Sequence, residues 1–441
     1  MKLIFHIFIF SLLFIIPVPV TSASELQDSI IYYNLTIDEL FHLGLEKSLR
    51  IRESKLQVQV EHEQLKTAKL NRLPQIGIGL AAGYMGQPVL FTNGLANPTY
   101  PVAPRWKHDY EAQLVQPLFQ GGEVYFNVER EKIEQKIAEL SLEGEEQELK
   151  LEYLQRYLEL FLMYKQLQVY DRNISAAEHR LRDIHNMYEE GLVTSNDEIR
   201  SKLQLTQYRL ARRTVDDNIR VYSTTLDILL DLDKTLIIMP DTTILEDLEL
   251  PLQTLDYYLD HASENYPGMK IAREKDKLSK VHVSLSRSDY LPKLSLIANY
   301  GLIRPLSSSL EDKFYQNWDV GLSLTFNISS LYNNKLKEKK LGMLISKNAL
   351  DEEWQNLYIK INENYSLHRQ ALDRIKTLEL SVKEAQENYR IVNNRYMSQL
   401  SILTDLLDAE SVLMDSELQL TGAQVNALFT YCQLLQVCGK L

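Results

Sequence analysis

Two copies of one pattern run through this chain in register. Thr36, Asp38, Glu46 and Leu73-Pro74 return as Thr254, Asp256, Glu264 and Leu291-Pro292, each 218 positions later with no gap. Phe119, Tyr125 and Asn127 return as Phe326, Tyr332 and Asn334 at 207 positions, and Tyr188 and Asp197 as Tyr396 and Asp405 at 208. A displacement that shortens by about eleven and then stays within one position means that one loop is longer in the first copy, and the stretch between Tyr84 and Trp106 is that loop. Residues 24–230 and 254–441 therefore read as two structural repeats, joined by a linker at 231–253 that carries Pro240 and Pro251.

Within the first copy, Thr36-Ile37-Asp38-Glu39 has the form of a capping box, in which the Thr hydroxyl and the Glu carboxylate satisfy each other's orphan amides. The helix it starts is expected to run to about residue 71, where Leu73-Pro74 ends it. Ile76, Ile78, Leu80, Ala82 and Tyr84 then alternate with small residues, the period and length of a membrane-spanning strand at 75–86. The proline-rich loop beyond reads as an irregular excursion, and 110–119 as the return strand. From 123 to 190 there is no proline, and apolar residues such as Ile133, Ile137 and Leu140 fall at coiled-coil spacings. A helix of that length spans about 100 Å. A shorter helix follows to Leu230.

The second copy repeats the order with a helix at 254–288, strands at 293–301 and 318–327, a long helix at 331–397 and a final helix. In its second strand Trp318, Val320, Leu322, Leu324 and Phe326 make an apolar face opposite Asp319, Gly321, Ser323, Thr325 and Asn327. The predicted class is mainly α with a membrane β part, in a tandem order of helix, strand, strand, long helix, helix. Four strands cannot close around an open lumen, since even eight fill with side chains, so an oligomer is required.

Composition agrees. The chain is 45% apolar yet has only 16 glycines in 441 residues, which favours long amphipathic helices over an ordinary α/β fold. Lys2, an apolar run over 3–16 and Thr21-Ser22-Ala23 read as a secretory signal peptide at 1–23, with an uncleaved anchor as the alternative. Its removal takes the net charge from −12 to −13, a poor balance for a nucleic-acid partner. Cys432 and Cys438 lie six apart in predicted helix, beyond disulfide reach, and neither follows the signal to offer a lipid anchor.

No motif of catalysis or metal binding is read in the chain. Gly77-x-Gly79-x-x-x-Gly83 lacks the third glycine of a dinucleotide loop and precedes no helix. His179 and His185 lie on different helix faces, and there is no His-Glu-x-x-His, no Gly-x-Ser-x-Gly and no phosphate loop. The cluster Lys335, Lys337, Lys339 and Lys340 reads as a solvated face. No catalytic residue, cofactor or metal site is assigned. What remains are two turns, Gly191-Leu192 and Gln399-Leu400, each with a Tyr before it and an Asp after it, which read as tips of helical hairpins.

The ordered set of Thr36 to Glu53, Leu73-Pro74-Gln75-Ile76, Leu291-Pro292-Lys293-Leu294, Gly191-Leu192 and Thr404-Asp405-Leu406-Leu407-Asp408-Ala409 resembles the TolC family of outer-membrane ducts after residue 24. The resemblance implies a homotrimer whose twelve-stranded β-barrel continues as a coiled-coil periplasmic tunnel in a Gram-negative cell. It implies an exit duct for a tripartite efflux pump or a type I secretion system, opened by a periplasmic adaptor and an inner-membrane transporter. It assigns adaptor docking to Gly191, Leu192, Gln399 and Leu400, and the periplasmic gate to Asp405, Asp408, Asp197 and Tyr396. Two positions depart from the family: Gln399 stands where glycine is frequent, and Ser401 where the best-known member has a gate-linking arginine.

The residues themselves leave other readings. Asp405 and Asp408 share a helix face, yet equally supply negative charge to a first helical turn. A structural coiled-coil protein of the envelope needs the helices but not the alternating strands. An uptake porin would devote nearly the whole chain to strands.

Overall fold

The computed structural model describes residues 31–441 except 234–235, 246–249, 307–310, 329–331 and 333; the expected signal peptide lies outside the described residues. The chain is mainly helical. It runs β1 (Ile31–Leu35), α1 (Ile37–Lys47), α2 (Leu49–Leu70), β2 (Gln75–Tyr84), β3 (Leu90–Asn93), β4 (Ala96–Thr99), β5 (Trp106–Gln120), α3 (Glu123–Glu189) and α4 (Ser195–Leu230). There follow β6 (Leu236–Pro240), α5 (Leu255–Asn265), α6 (Pro267–Ser288), β7 (Lys293–Arg304), β8 (Tyr315–Thr325), α7 (Lys335–Met397) and α8 (Leu403–Val437).

The helices expected over 36–71 and 254–288 are each broken once. Ser48 is extended at φ −61, ψ 127, and its hydroxyl accepts the Ile51 amide, so it ends α1 and caps α2. Tyr266 is extended at ψ 121 because Pro267 follows it and occupies the first turn of α6. The capping box at Thr36 forms only by half: its hydroxyl accepts the Glu39 amide at 3.3 Å, while the Glu39 carboxylate takes the Tyr33 hydroxyl. The excursion after β2 contains the β3–β4 hairpin, turning at Gly94 with φ +62. β5 starts at Trp106 because it pairs with β2 as far as Tyr84, and β7 runs on to Arg304.

β2, β5, β7 and β8 form one antiparallel sheet in that order. Its register puts Ile78 opposite Ala112, and Leu296 opposite Leu322, on one face. On the other face Gln113 pairs with Asn299 and Asn299 with Asp319, their side chains forming a ladder of 3.0 Å hydrogen bonds across three strands.

Helices continue the strands in the same lateral order. Next to the sheet α2, α3, α6 and α7 pack side by side, and beyond them α4, α3, α8 and α7. One edge of the molecule is therefore β2, α2 and α4; the other is β8 and α7. The core lies where α3 crosses from one set to the other, with Tyr157 and Phe161 packed on Leu35, Leu40, Leu226, Leu230 and Ile238. Tyr157 donates to the Leu35 carbonyl at 2.8 Å and accepts from the Asp241 amide at 2.9 Å, and burial pushes its hydroxyl up to about 12. This ties down a parallel pair, β1 with β6, that the linker reading of 231–253 did not anticipate. Both cysteines are unpaired, and burial pushes each thiol up to about 11.

Candidate gate and docking tips

The α3–α4 and α7–α8 turns close in the same way. In the first, the Leu192 amide reaches the Met187 carbonyl at 2.8 Å and the Gly191 amide the Tyr188 carbonyl at 2.9 Å. In the second, Leu400 reaches Arg395 at 2.7 Å and Gln399 reaches Tyr396 at 2.9 Å. Both are left-handed helix stops, with φ +75 at Gly191 and +59 at Gln399. A side chain in that region costs about 1–2 kcal/mol, and the Arg395 guanidinium braces the strained turn through the Leu400 carbonyl at 3.3 Å. Gln399 thus makes the turn that glycine makes in the first copy. Leu192 and Leu400 are 51% and 69% exposed, beside exposed Met397 and Ile402.

Behind the tips Ile184, Tyr396, Leu403 and Leu406 form a buried apolar plug. Asp405 and Asp408 are exposed on α8, and the exposed positions continue through Val412, Asp415 and Gln419 at alternating three- and four-residue steps. Asp415 belongs to the same stripe, and the coiled-coil spacing of α8 was the signal that would have found it. Ser401 donates to the Asp405 carboxylate at 2.7 Å, so the residue at the position of the family's arginine holds one of the two carboxylates expected at the gate.

Asp197 is engaged elsewhere. Its carboxylate accepts from the Thr194 amide at 3.0 Å and the Thr194 hydroxyl at 2.8 Å, while its own amide donates back to that hydroxyl, a complete capping box at the start of α4. Tyr396 is 5% exposed, and its hydroxyl has no hydrogen-bond partner among the described residues. Burial first, and the Asp197 charge second, raise its pKa. Asp197 thus lies within electrostatic reach of Tyr396 without a hydrogen bond to it.

Three side-chain ties between the hairpins were not foreseen, one of them an Arg172–Glu417 ion pair at 3.2 Å between α3 and α8. Arg200 of α4 donates to the Thr404 hydroxyl at the start of α8. Arg180 of α3 and Glu410 of α8 form a buried bidentate ion pair. Burial opposes the guanidinium charge, but Glu410 more than offsets it and the Arg180 pKa is raised. No single-helix pattern exposes such pairs, because their partners are more than 200 positions apart.

A short antiparallel sheet prolonged by helices of 67 and 63 residues, with an apolar sheet face and two hairpin tips far from it, is the architecture of an outer-membrane channel protein. The chain belongs to the family described as Outer membrane efflux protein, which it matches over residues 40–230 and 258–440. Among curated proteins it is 20% identical over 426 residues to the proteases secretion protein PrtF of Dickeya chrysanthemi, covering 91% of this chain and 88% of that one. It is 22% identical over 195 residues to the alkaline protease secretion protein AprF of Pseudomonas aeruginosa, a match spanning 43% of this chain and 40% of AprF. Among solved structures, CusC superposes with a TM-score of 0.76 at 15% identity, covering 93% of each chain. The outer membrane protein VceC of Vibrio cholerae superposes with a TM-score of 0.73 at 16% identity, covering 91% of this chain and 96% of VceC.

Proposed function

We propose that the chain is a tandem duplication and one third of a trimeric exit duct, with a twelve-stranded barrel in the outer membrane and a helical tunnel in the periplasm. The observation that carries this is the pair of unfinished edges. β2 and β8 are the edge strands of the four-stranded sheet among the described residues. Below them α2 and α4 expose Leu49, Leu56 and Leu210, while α7 exposes Leu341, Ile345 and Leu380. Strand edges and apolar helix edges lie on the same two sides, so one head-to-tail contact satisfies both and closes as a ring. A non-pore scaffold has no use for Ile76, Ile78, Leu80, Leu322 and Leu324 at 68–76% exposure on one sheet face. Both named curated relatives are protease secretion proteins, which favours a polypeptide cargo passed on by an inner-membrane transporter and a periplasmic adaptor.

In such a ring the exposed Asp405 and Asp408 of three α8 helices face one axis. Six close carboxylates attract cations and make the throat blockable by multivalent ones. The test is a heat-resistant trimer on gels of the outer-membrane fraction, followed by conductance in planar bilayers. Asp405→Ala with Asp408→Ala is expected to weaken block by a trivalent cation roughly tenfold or more and to lower cation selectivity. Unchanged block would make these carboxylates helix-start residues only, and absence of a trimer or a channel would remove the duct reading.

A further inference from the structure

The two hairpins are built differently inside than between. α3 packs on α4, and α7 on α8, along their length, whereas in the tip half the hairpins meet chiefly along the single seam of α3 against α8. Two apolar clusters line that seam. Nearer the tip lie Ile184, Tyr396, Leu403 and Leu406; farther from it Ala177, Leu205 and Tyr208, with Met414 packed on them.

Between these clusters sits the Arg180–Glu410 pair. Arg180 falls between Ala177 and Ile184 on α3, and Glu410 between Leu406 and Met414 on α8. Their side chains are 5% and 4% exposed, and among the described residues no other ion pair has both partners so deeply buried. Tyr208 of α4 and Tyr389 of α7 lie within the pair's electrostatic reach, so all four tunnel helices meet around it. Each guanidinium nitrogen of the fork meets its own carboxylate oxygen.

Apolar contacts tolerate sliding, because one methyl group serves nearly as well as the next. A buried fork-to-fork pair does not, because any displacement along the seam leaves two charges unpaired away from water. Glu410 is also rigidly linked to the gate, since Asp408 lies two residues before it and Asp405 five, on the same helix.

We propose that Arg180 and Glu410 are the positioning pair of the gate: a register lock that holds α8 against α3 and keeps Asp405 and Asp408 at the constriction until the duct is opened. The proposal rests on the duct reading and names a contact inside one subunit, about half a helical turn behind Asp408 and more than one turn behind Asp405. Arg200 on Thr404 is a second, exposed tie to the same helix start, and being water-accessible it adds direction rather than a barrier.

The experiment uses the purified full chain in planar bilayers, with four variants beside the wild type. Arg180→Met and Glu410→Gln each leave one buried charge. Arg180→Met with Glu410→Leu removes both and keeps the seam dry, so it assembles even where a single variant does not. Arg180→Glu with Glu410→Arg reverses the pair. The first three are expected to raise the time-averaged conductance about tenfold, within the usual range of coupling between sites, and to weaken trivalent-cation block. The reversed pair is expected to return both toward wild type, with the same heat-resistant trimer throughout. Wild-type conductance and block in the apolar double variant would overturn the lock, as would a reversed pair that behaves like the single variants. A wild type that forms no channel at all would instead overturn the duct reading beneath it.

Discussion

Asp227 is the residue most at odds with its surroundings. It is fully buried on α4 beside Leu226 and Leu230, and neither carboxylate oxygen has a hydrogen-bond partner among the described residues. Burial first, and Asp233 second, push its pKa from 3.8 up to about 6. A carboxyl whose folded pKa lies above its unfolded one stabilises the fold fully below the unfolded value, and loses that contribution as pH rises through the folded value. Stability should therefore fall between about pH 4 and pH 6 on account of this group, by roughly 2–3 kcal/mol. Asp227→Asn removes that dependence and is expected to raise the thermal midpoint at pH 7.5 while leaving it unchanged near pH 4. Parallel pH curves for variant and wild type would show that the carboxylate is accommodated. At this scale the sequence is only partly legible: helical spacing puts Asp405 and Asp408 on one exposed face, but nothing local says that Asp227 is buried or that Glu410 is gripped from another helix.

Elements were more legible than contacts. Proline-free length and three-four spacing located α3 and α7 because a long helix repeats its own signal many times. The break at Tyr266 was also written in the sequence, in the Pro267 that follows, whereas Ser48 breaks its helix without any proline. β6 was invisible because five residues that end in a proline carry no period. The hairpin tips were legible as turns, and their equivalence follows from Gln399 adopting the left-handed conformation of Gly191. We propose that Leu192 and Leu400, exposed at two like turns, are where an adaptor docks. Replacing both by Asp is expected to leave the heat-resistant trimer intact and to abolish export, read as secretion of the cargo or as sensitivity to a pumped compound. Normal export would move the docking surface elsewhere.

Across the whole molecule, the repeat and the strand alternation make the need for partners legible, because four strands leave two edges open however they are paired. Which copies meet was not legible: the lateral order that sets β2, α2 and α4 against β8 and α7 is a property of packing, and no local pattern carries it. That order makes a depth-dependent prediction about the sheet. β8 runs from Tyr315 to Thr325, so Val320 lies at its middle, Leu324 one residue from its end, and both are exposed on the apolar face. Ser323 shares the opposite face with Ser295, in line with the Asn299–Asp319 ladder. Arginine on the lipid side of a barrel costs about 2–4 kcal/mol at the bilayer midplane and falls toward zero at the interface. Val320→Arg should therefore cost the full amount, Leu324→Arg less, and Ser323→Arg little, in the urea midpoint of the trimer refolded into vesicles. Should Val320→Arg and Ser323→Arg prove equally costly, the apolar face is not the lipid face, and the ring closes some other way or not at all.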